Sequence, residues 1–215
     1  MNYSEIAPVP ACDLPLPAPD EPLVLVASRP ASRKVAGSAL IGGDSAELLL
    51  GSDGHDTLAG GGGDDSLDGG AGNDRFDGGG GRDVIRCGDG DDTVLAGSDG
   101  GRGSDRIEGG AGNDLLQGGL GSDTLDGGRG NDRLYGGGGA DRFEFRPGDG
   151  VDRIADFDAV EGDRIHLDPA LGDPEVTILA SSGVLLAFAG GERLIFEQLP
   201  TIDLWATLDT GLLSL

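Results

Sequence analysis

The sequence predicts an all-β fold: a parallel β-solenoid in which short rungs stack into two facing sheets. Three observations predict it. A nine-residue pattern is written ten times between Gly51 and Glu144, with copies starting at Gly51, Gly60, Gly69, Gly78, Cys87, Gly100, Gly109, Gly118, Gly127 and Gly136. Every copy has Gly at position 4 and Asp at position 6 (Asp56, Asp65, Asp74, Asp83, Asp92, Asp105, Asp114, Asp123, Asp132, Asp141). Every copy also has an apolar residue at position 8, from Leu58 and Leu67 through Leu134 and Phe143. Gly-, Asp- and Ser-rich composition alone marks a disordered linker. Composition does not, however, set an aspartate two residues before an apolar one at every ninth step; fixed-period similarity does so in stacked repeats.

Positions 1 to 6 are glycine and small polar residues, which turn readily and let backbones approach closely. Positions 7 to 9 supply one rung, with position 8 inward and positions 7 and 9 (Arg75 and Asp77, Arg106 and Glu108) outward, as strand alternation requires. Two nonapeptides therefore make one coil, and the apolar residues of the two sheets meet in a core one side chain thick. Such a core is too thin to offset the ordering of eighteen residues per coil. The position-6 aspartates also stack at about the 4.8 Å strand spacing and repel one another. A hard divalent cation between successive aspartates answers both problems, because carboxylate and carbonyl oxygens are the ligands calcium prefers. The metal is expected to be structural.

On these residues, Gly51–Glu144 resembles the RTX (haemolysin-type calcium-binding) repeat, GGxGxDxUx. The resemblance implies a right-handed parallel β-roll with calcium held between repeat n and repeat n+2 on each side. It implies the pairs Asp65–Asp83, Asp83–Asp105, Asp105–Asp123 and Asp123–Asp141 on one side. On the other side it implies Asp56–Asp74, Asp74–Asp92, Asp92–Asp114 and Asp114–Asp132. It adds carbonyls from positions 2 and 4 of the lower turn (Gly61, Gly63, Gly70, Gly72, Gly110, Gly112, Gly119, Gly121). Positions 1 and 3 of the upper turn contribute as well (Gly78, Gly80, Gly127, Gly136, Gly138). About eight calcium ions follow from that geometry.

The pattern departs from the family in three places. Ser52 stands at position 2 of the first copy and Cys87 at position 1 of the fifth. Four extra residues, Ala96–Asp99, fall at a strand-to-turn junction. There the sequence predicts an outward bulge that keeps the left–right alternation; the alternative is a ladder split into two short rolls.

The flanks read in chain order. Residues 1–38 are proline-rich, open with no basic region, and contain no apolar run as long as a signal-peptide core or a membrane span, so a disordered leader is expected. Ala39–Leu50 reads as a degenerate first copy, with Glu47 at position 6 and Leu49 at position 8, capping a roll over 39–155. Pro147–Ala155 gives one more copy, with Asp152 and Ile154 at positions 6 and 8. Asp156–Asp168 resembles the segment that ends the ladder in this family. Glu175–Ala180, Val184–Ala189 and Arg193–Glu197, separated by turn signals, predict an antiparallel meander closing the open end, within a C-terminal cap over 156–215. Thr201–Leu215 resembles the uncleaved C-terminal signal of type I secretion substrates, or else forms the last strand of the cap.

The chain of 215 residues has a formal charge of −24, with one lysine (Lys34) among 15 basic residues. That balance argues against nucleic acid or anionic lipid as a partner. Two cysteines, Cys12 and Cys87, are too few for a disulfide framework. The only histidines, His55 and His166, are far apart; no HExxH and no G-x-S-x-G occurs, so no enzyme is expected. His55, at the variable position 5, is expected to face solvent. Three functions remain: a secreted calcium-binding module that folds outside the cell; a matrix or adhesive protein using Arg75, Arg106, Leu115, Arg133 and Tyr135 to contact polysaccharide or a cell surface; and a non-catalytic accessory module of a secreted enzyme.

Overall fold

The computed structural model describes residues 23–26, 37–97, 102–178 and 183–197. These residues form no α-helix; one short 3-10 turn, Pro169–Leu171, follows the roll. The strands form two sheets. The first contains β1 (Leu23–Val26), β3 (Glu47–Leu50), β5 (Ser66–Ala71), β7 (Val84–Asp89), β10 (Arg106–Ala111), β12 (Thr124–Arg129), β14 (Arg142–Phe145) and β16 (Arg164–Leu167), in that spatial order. The second runs β17 (Glu175–Ile178), β18 (Val184–Ala187), β19 (Arg193–Phe196), β15 (Val151–Ile154), β13 (Arg133–Gly139), β11 (Leu115–Gly121), β8 (Thr93–Leu95), β6 (Arg75–Gly80), β4 (Thr57–Gly62), β2 (Ala39–Ile41). A two-residue strand, β9 (Arg102–Gly103), pairs with β11 beside this path.

Successive repeats alternate between the sheets, and all pairing within the roll is parallel, giving a β-solenoid of about seven turns. The position-8 residues lie in register. Leu49, Leu67, Ile85, Ile107, Leu125, Phe143 and Ile165 line one inner face. Leu40, Leu58, Phe76, Val94, Leu116, Leu134, Ile154 and Phe196 line the other. All but Leu40 are buried. Leu40, in the three-residue strand β2 at the start of the degenerate copy, is partly buried against this core.

The rungs are longer than the sequence suggests. Typical strands run from position 7 through position 3 of the next copy, as in Thr57–Gly62 and Ser66–Ala71, so only positions 4 to 6 turn. The reason is that a glycine rung still pairs: Gly61 is in register with Gly79, and Gly70 with Gly88. The ladder passes the extra residues unbroken. β8 stays in the second sheet between β6 and β11, and β10 pairs with β7 in the first, so the roll does not split. The expected bulge itself falls partly on residues outside the described set.

At the C-terminal end the antiparallel meander is present, β17 to β18 to β19. It does not lie across the open end as a lid. β19 adds in parallel beside β15 and the other two strands extend the same sheet. Their inner residues (Val184, Leu186, Leu194, Phe196) join a cluster with Phe143, Phe145, Phe157, Leu167 and Phe188. Phe157 packs edge-on to Phe196 at 5.5 Å between centroids, and Phe145 tilts against Phe188 at 5.5 Å. Within the expected leader, Leu23–Val26 is a strand paired in parallel with β3. The rest of 1–36, Cys12 included, and the tail Thr201–Leu215 lie outside the described residues.

Candidate metal centre: two columns of buried carboxylates

Each position-6 aspartate of the ten copies stands immediately before a rung, so the in-register strands stack these residues as they stack the apolar ones. In the first column, the backbone N–H of Asp65 donates to Oδ1 of Asp83 at 2.9 Å, Asp83 to Asp105 at 2.8 Å, Asp105 to Asp123 at 2.8 Å and Asp123 to Asp141 at 2.9 Å. The second column repeats this from Asp56 to Asp74 (2.7 Å), Asp74 to Asp92 (2.7 Å), Asp92 to Asp114 (2.8 Å), Asp114 to Asp132 (2.8 Å) and Asp132 to Asp152 (3.0 Å). All eleven aspartates singled out in the sequence are therefore in the columns, and all are buried.

Both columns have defined ends. Glu47 begins the first, its N–H donating to Asp65 Oδ1 at 2.8 Å, as the degenerate copy predicts. Asp163, which sequence inspection did not single out, ends it: Asp141 N–H donates to Asp163 Oδ1 at 2.9 Å, and Asp158 N–H to its Oδ2 at 2.8 Å. The second column starts where Ser38 N–H donates to Asp56. It stops because Leu194 occupies the rung position next to Asp152.

Glycine at position 1 exists for these carboxylates. A Cβ on Gly60 would lie 2.3 Å from Asp65 Oδ2, and one on Gly136 would lie 2.3 Å from Asp141 Oδ2. The turn glycines Gly61, Gly63, Gly70, Gly72, Gly110, Gly112, Gly119 and Gly121 all adopt left-handed φ, which an L side chain takes only at a cost. Gly78 and Gly127 lie against the carboxylates of their own copies as Gly60 does, while Gly80 ends β6 and Gly138 is the last residue but one of β13. The Gly80 carbonyl accepts from Gly63 N–H at 2.8 Å and keeps a second lone pair.

The chemistry of the columns follows. Oδ1 is satisfied, but Oδ2 of Asp65, Asp74, Asp83, Asp92, Asp114, Asp123, Asp132 and Asp141 is buried without a hydrogen-bond partner. An orphaned buried carboxylate oxygen is costly unless a proton or cation meets it. Burial, followed by the charge of neighbouring carboxylates (Glu47 for Asp65, aspartates for the rest), holds these carboxyls above the ordinary 3.8: Asp83, Asp114 and Asp123 at about 7, Asp65 and Asp92 at about 6. Asp152 is pushed up to about 9, by burial first and then by Asp132. Among the described residues no three Asp, Glu, His or Cys side chains converge on one point. A cation here would take its ligands from successive carboxylates together with backbone carbonyls, an all-oxygen set that suits a hard ion such as calcium.

A second ladder runs beside the second column, and sequence inspection missed it. Asn73 N–H donates to Nδ1 of His55 at 2.7 Å, Asp91 N–H to Asn73 Oδ1 at 3.2 Å, Asn113 N–H to Asp91 Oδ1 at 2.8 Å and Asn131 N–H to Asn113 Oδ1 at 3.1 Å. These position-5 side chains are exposed and reach forward one coil, whereas the column aspartates reach back; His55 is thus exposed as expected but engaged. The signal was present, since every second copy carries His, Asn or Asp at position 5. His166 lies in β16 of the other sheet, and the two histidines form no joint site. Cys87 is a free, fully buried thiol whose pKa burial and the second-column aspartates drive far upward.

A family model described as the RTX calcium-binding nonapeptide repeat matches four times, over residues 41–76, 69–99, 99–134 and 117–152. The extracellular lipase LipA from Serratia marcescens is similar in structure at 20% identity and a TM-score of 0.44, over 83% of this chain but only 40% of the lipase. The AlgE6R3 subunit of the Azotobacter vinelandii mannuronan C5-epimerase is similar at 23% identity and a TM-score of 0.18, over 78% of this chain and 74% of that one. No curated protein matches the chain. With its matched repeats together spanning residues 41–152, more than half of its length, this chain belongs to the RTX calcium-binding nonapeptide repeat family.

Proposed function

We propose that this chain is a secreted calcium-binding protein whose roll folds when several Ca2+ ions enter the two aspartate columns after export. The observation that carries this reading is the set of eight buried Oδ2 atoms with no partner, one on each of eight of the ten repeats. The pairs Asp65–Asp83 through Asp123–Asp141 and Asp56–Asp74 through Asp114–Asp132 would hold the ions. Carbonyls such as those of Gly61, Gly63, Gly78 and Gly80 would complete the set. Asp132–Asp152 and Asp141–Asp163 extend it by one pair at each column's end. Calcium, when bound, supplies positive charge where these carboxylates face one another. Without it, a chain of net charge −24 remains self-repelling and suited to passage through an exporter in extended form. Binding only to the folded state stabilises that state by mass action. Among the described residues no helix is long and apolar enough to cross a membrane. Circular dichroism with and without chelator tests the coupling, and a calcium titration read by native mass spectrometry counts the ions. A β signal that survives chelation at neutral pH sinks the reading.

A second reading rests on the outer face of the second sheet. Leu95, Leu115 and Leu120 are 41%, 38% and 44% exposed, and the Arg133 guanidinium lies 5.3 Å over the Tyr135 ring. Such a face suits contact with polysaccharide or a cell surface. A glycan array probed with and without calcium separates this use from the folding role alone.

A further inference from the structure

The outer face of the first sheet carries a polar cavity of about 530 Å³ over β7, β10 and β12. Its far wall is the turn after β14, where two extra residues, Phe145 and Arg146, interrupt the nine-residue period and Arg146, Pro147 and Asp149 face the cavity. Asp89, Glu108, Asp126 and Asp149 line the cavity, with Arg129 and Arg146. None of the four acids belongs to the aspartate columns.

Asp126 is the informative residue. It occupies position 9, an outward position, yet is only 6% exposed. Its Oδ2 accepts from the Arg146 guanidinium, which also donates to Glu144 Oε2 at 2.6 Å. Its Oδ1 is buried and has no hydrogen-bond partner. Asp149 is also 6% exposed; its Oδ2 accepts from Arg146 N–H at 2.5 Å. Asp149 feels the charge of Asp126, and Asp126 that of Glu108, so the carboxylates act on one another across the cavity.

The cavity thus offers an unused buried acceptor among an excess of carboxylates. Its ligand must donate hydrogen bonds and carry positive charge. Three metal-ligating side chains do not converge here, and no aromatic ring lines the cavity to stack a base or a sugar face. An organic cation places its donors further apart than a metal ion places its bonds, and it fits carboxylates that surround a cavity without meeting at a point.

We propose that this cavity is a binding site for an alkylammonium or guanidinium group, with Asp126 Oδ1 as the central acceptor and Asp149 and Glu108 beside it. The group can come from a free amine or from a basic side chain of another protein. The Phe145–Arg146 insertion brings Arg146 to the site's wall, where its guanidinium holds Asp126 in place. This site is separate from the calcium columns, and its failure leaves the proposed calcium-dependent folding standing.

The test uses the full chain in calcium-containing buffer, with agmatine and cadaverine as probes and a lysine- and arginine-containing peptide as a third arm. Calorimetry should show saturable one-to-one binding that weakens about tenfold or more in Asp126→Asn, the loss expected for a charge-assisted hydrogen bond. Peptide binding far tighter than that of the free amines identifies a protein source. Ala111→Arg, which supplies a guanidinium from the cavity's own floor, should abolish binding with an unchanged circular dichroism spectrum. Asp68→Asn, on the same face beyond the cavity, should leave binding unchanged. Absence of saturable binding, equal affinity in a folded Asp126→Asn, or displacement of the amines by magnesium would overturn the proposal.

Discussion

Asp83 donates its backbone N–H to Oδ1 of Asp105 at 2.8 Å across 22 residues, where neighbouring pairs in the same column are 18 apart. The four extra residues are thus absorbed outside the column, and the carboxylate spacing survives. Both single-oxygen contacts of Asp105, to Asp83 and through its own N–H to Asp123, are retained.

That continuity gives a substitution whose sign depends on the metal. Asp105→Asn keeps an acceptor for Asp83 N–H and removes a buried charge. In calcium-free buffer the variant should melt higher than the parent, because like-charge repulsion in the column falls. In calcium it should melt lower, by the equivalent of about 1–3 kcal/mol for a lost charged contact. Thermal melts under both conditions check it; the same sign in both removes the cation from the account of this column.

Proton uptake should stand in for calcium in part. Asp83, Asp114 and Asp123 titrate at about 7 in the fold against an ordinary 3.8, chiefly through burial. Between those values the folded state binds more protons than the unfolded one. Stability of the calcium-free fold therefore falls as pH rises from about 4 through 7, and further toward 9 through Asp152. Lowering the pH of calcium-free protein from 8 to about 5 should recover β signal. In saturating calcium the same shift should add none. Circular dichroism over a pH series reads both outcomes.

Glycines differ in what they tolerate. Gly79 has φ of 92°, and a Cβ there would lie 1.9 Å from the Gly61 carbonyl oxygen. Gly79→Ala should cost more than the roughly 1–2 kcal/mol of the left-handed conformation alone. Gly138 has only Leu120 Cδ2 at 3.2 Å, a movable side-chain tip, so Gly138→Ala should be close to neutral. Calcium-dependent melting of the two variants should rank them in that order, and equal losses would contradict the packing described.

Positions 6 and 8 were legible in the sequence because each serves one sheet position on every coil, so a nine-residue comb exposes them. The position-5 ladder was not, because it is continuous on one side only: His55, Asn73, Asp91, Asn113 and Asn131 recur at every second copy, whereas on the other side Asp64 Oδ1 accepts from Arg82 N–H at 2.8 Å and Arg82, Ser104, Ser122 and Ala140 follow without a repeating acceptor. Asp163 was missed for a different reason. Its rung keeps aspartate two residues before Ile165, but the turn ahead of it, Val160-Glu161-Gly162, has lost the position-4 glycine. Glu161 and Asp156 compensate, their carboxylates accepting from Gly139, Gly136 and Gly137 N–H groups. Nor does local pattern show that Leu194 ends the second column, since its place beside Asp152 depends on a 42-residue return of the chain. The strand lengths were underestimated because glycine lowers strand propensity in isolation, while parallel pairing with another glycine rung restores it.

Cys87 offers a chemical readout of the roll. It stands at position 1, where glycine otherwise makes room for the aspartate of its own copy, and its thiol is wholly buried against the second column. In calcium, Cys87 should resist alkylation, since it is both shielded and held protonated. In chelator, it should be labelled at the rate of an unfolded thiol. Peptide mapping by mass spectrometry isolates it from Cys12. Cys87→Gly restores the family residue and should leave the calcium-loaded roll folded; rapid labelling of Cys87 in saturating calcium would show that the coil around Asp92 does not close as described.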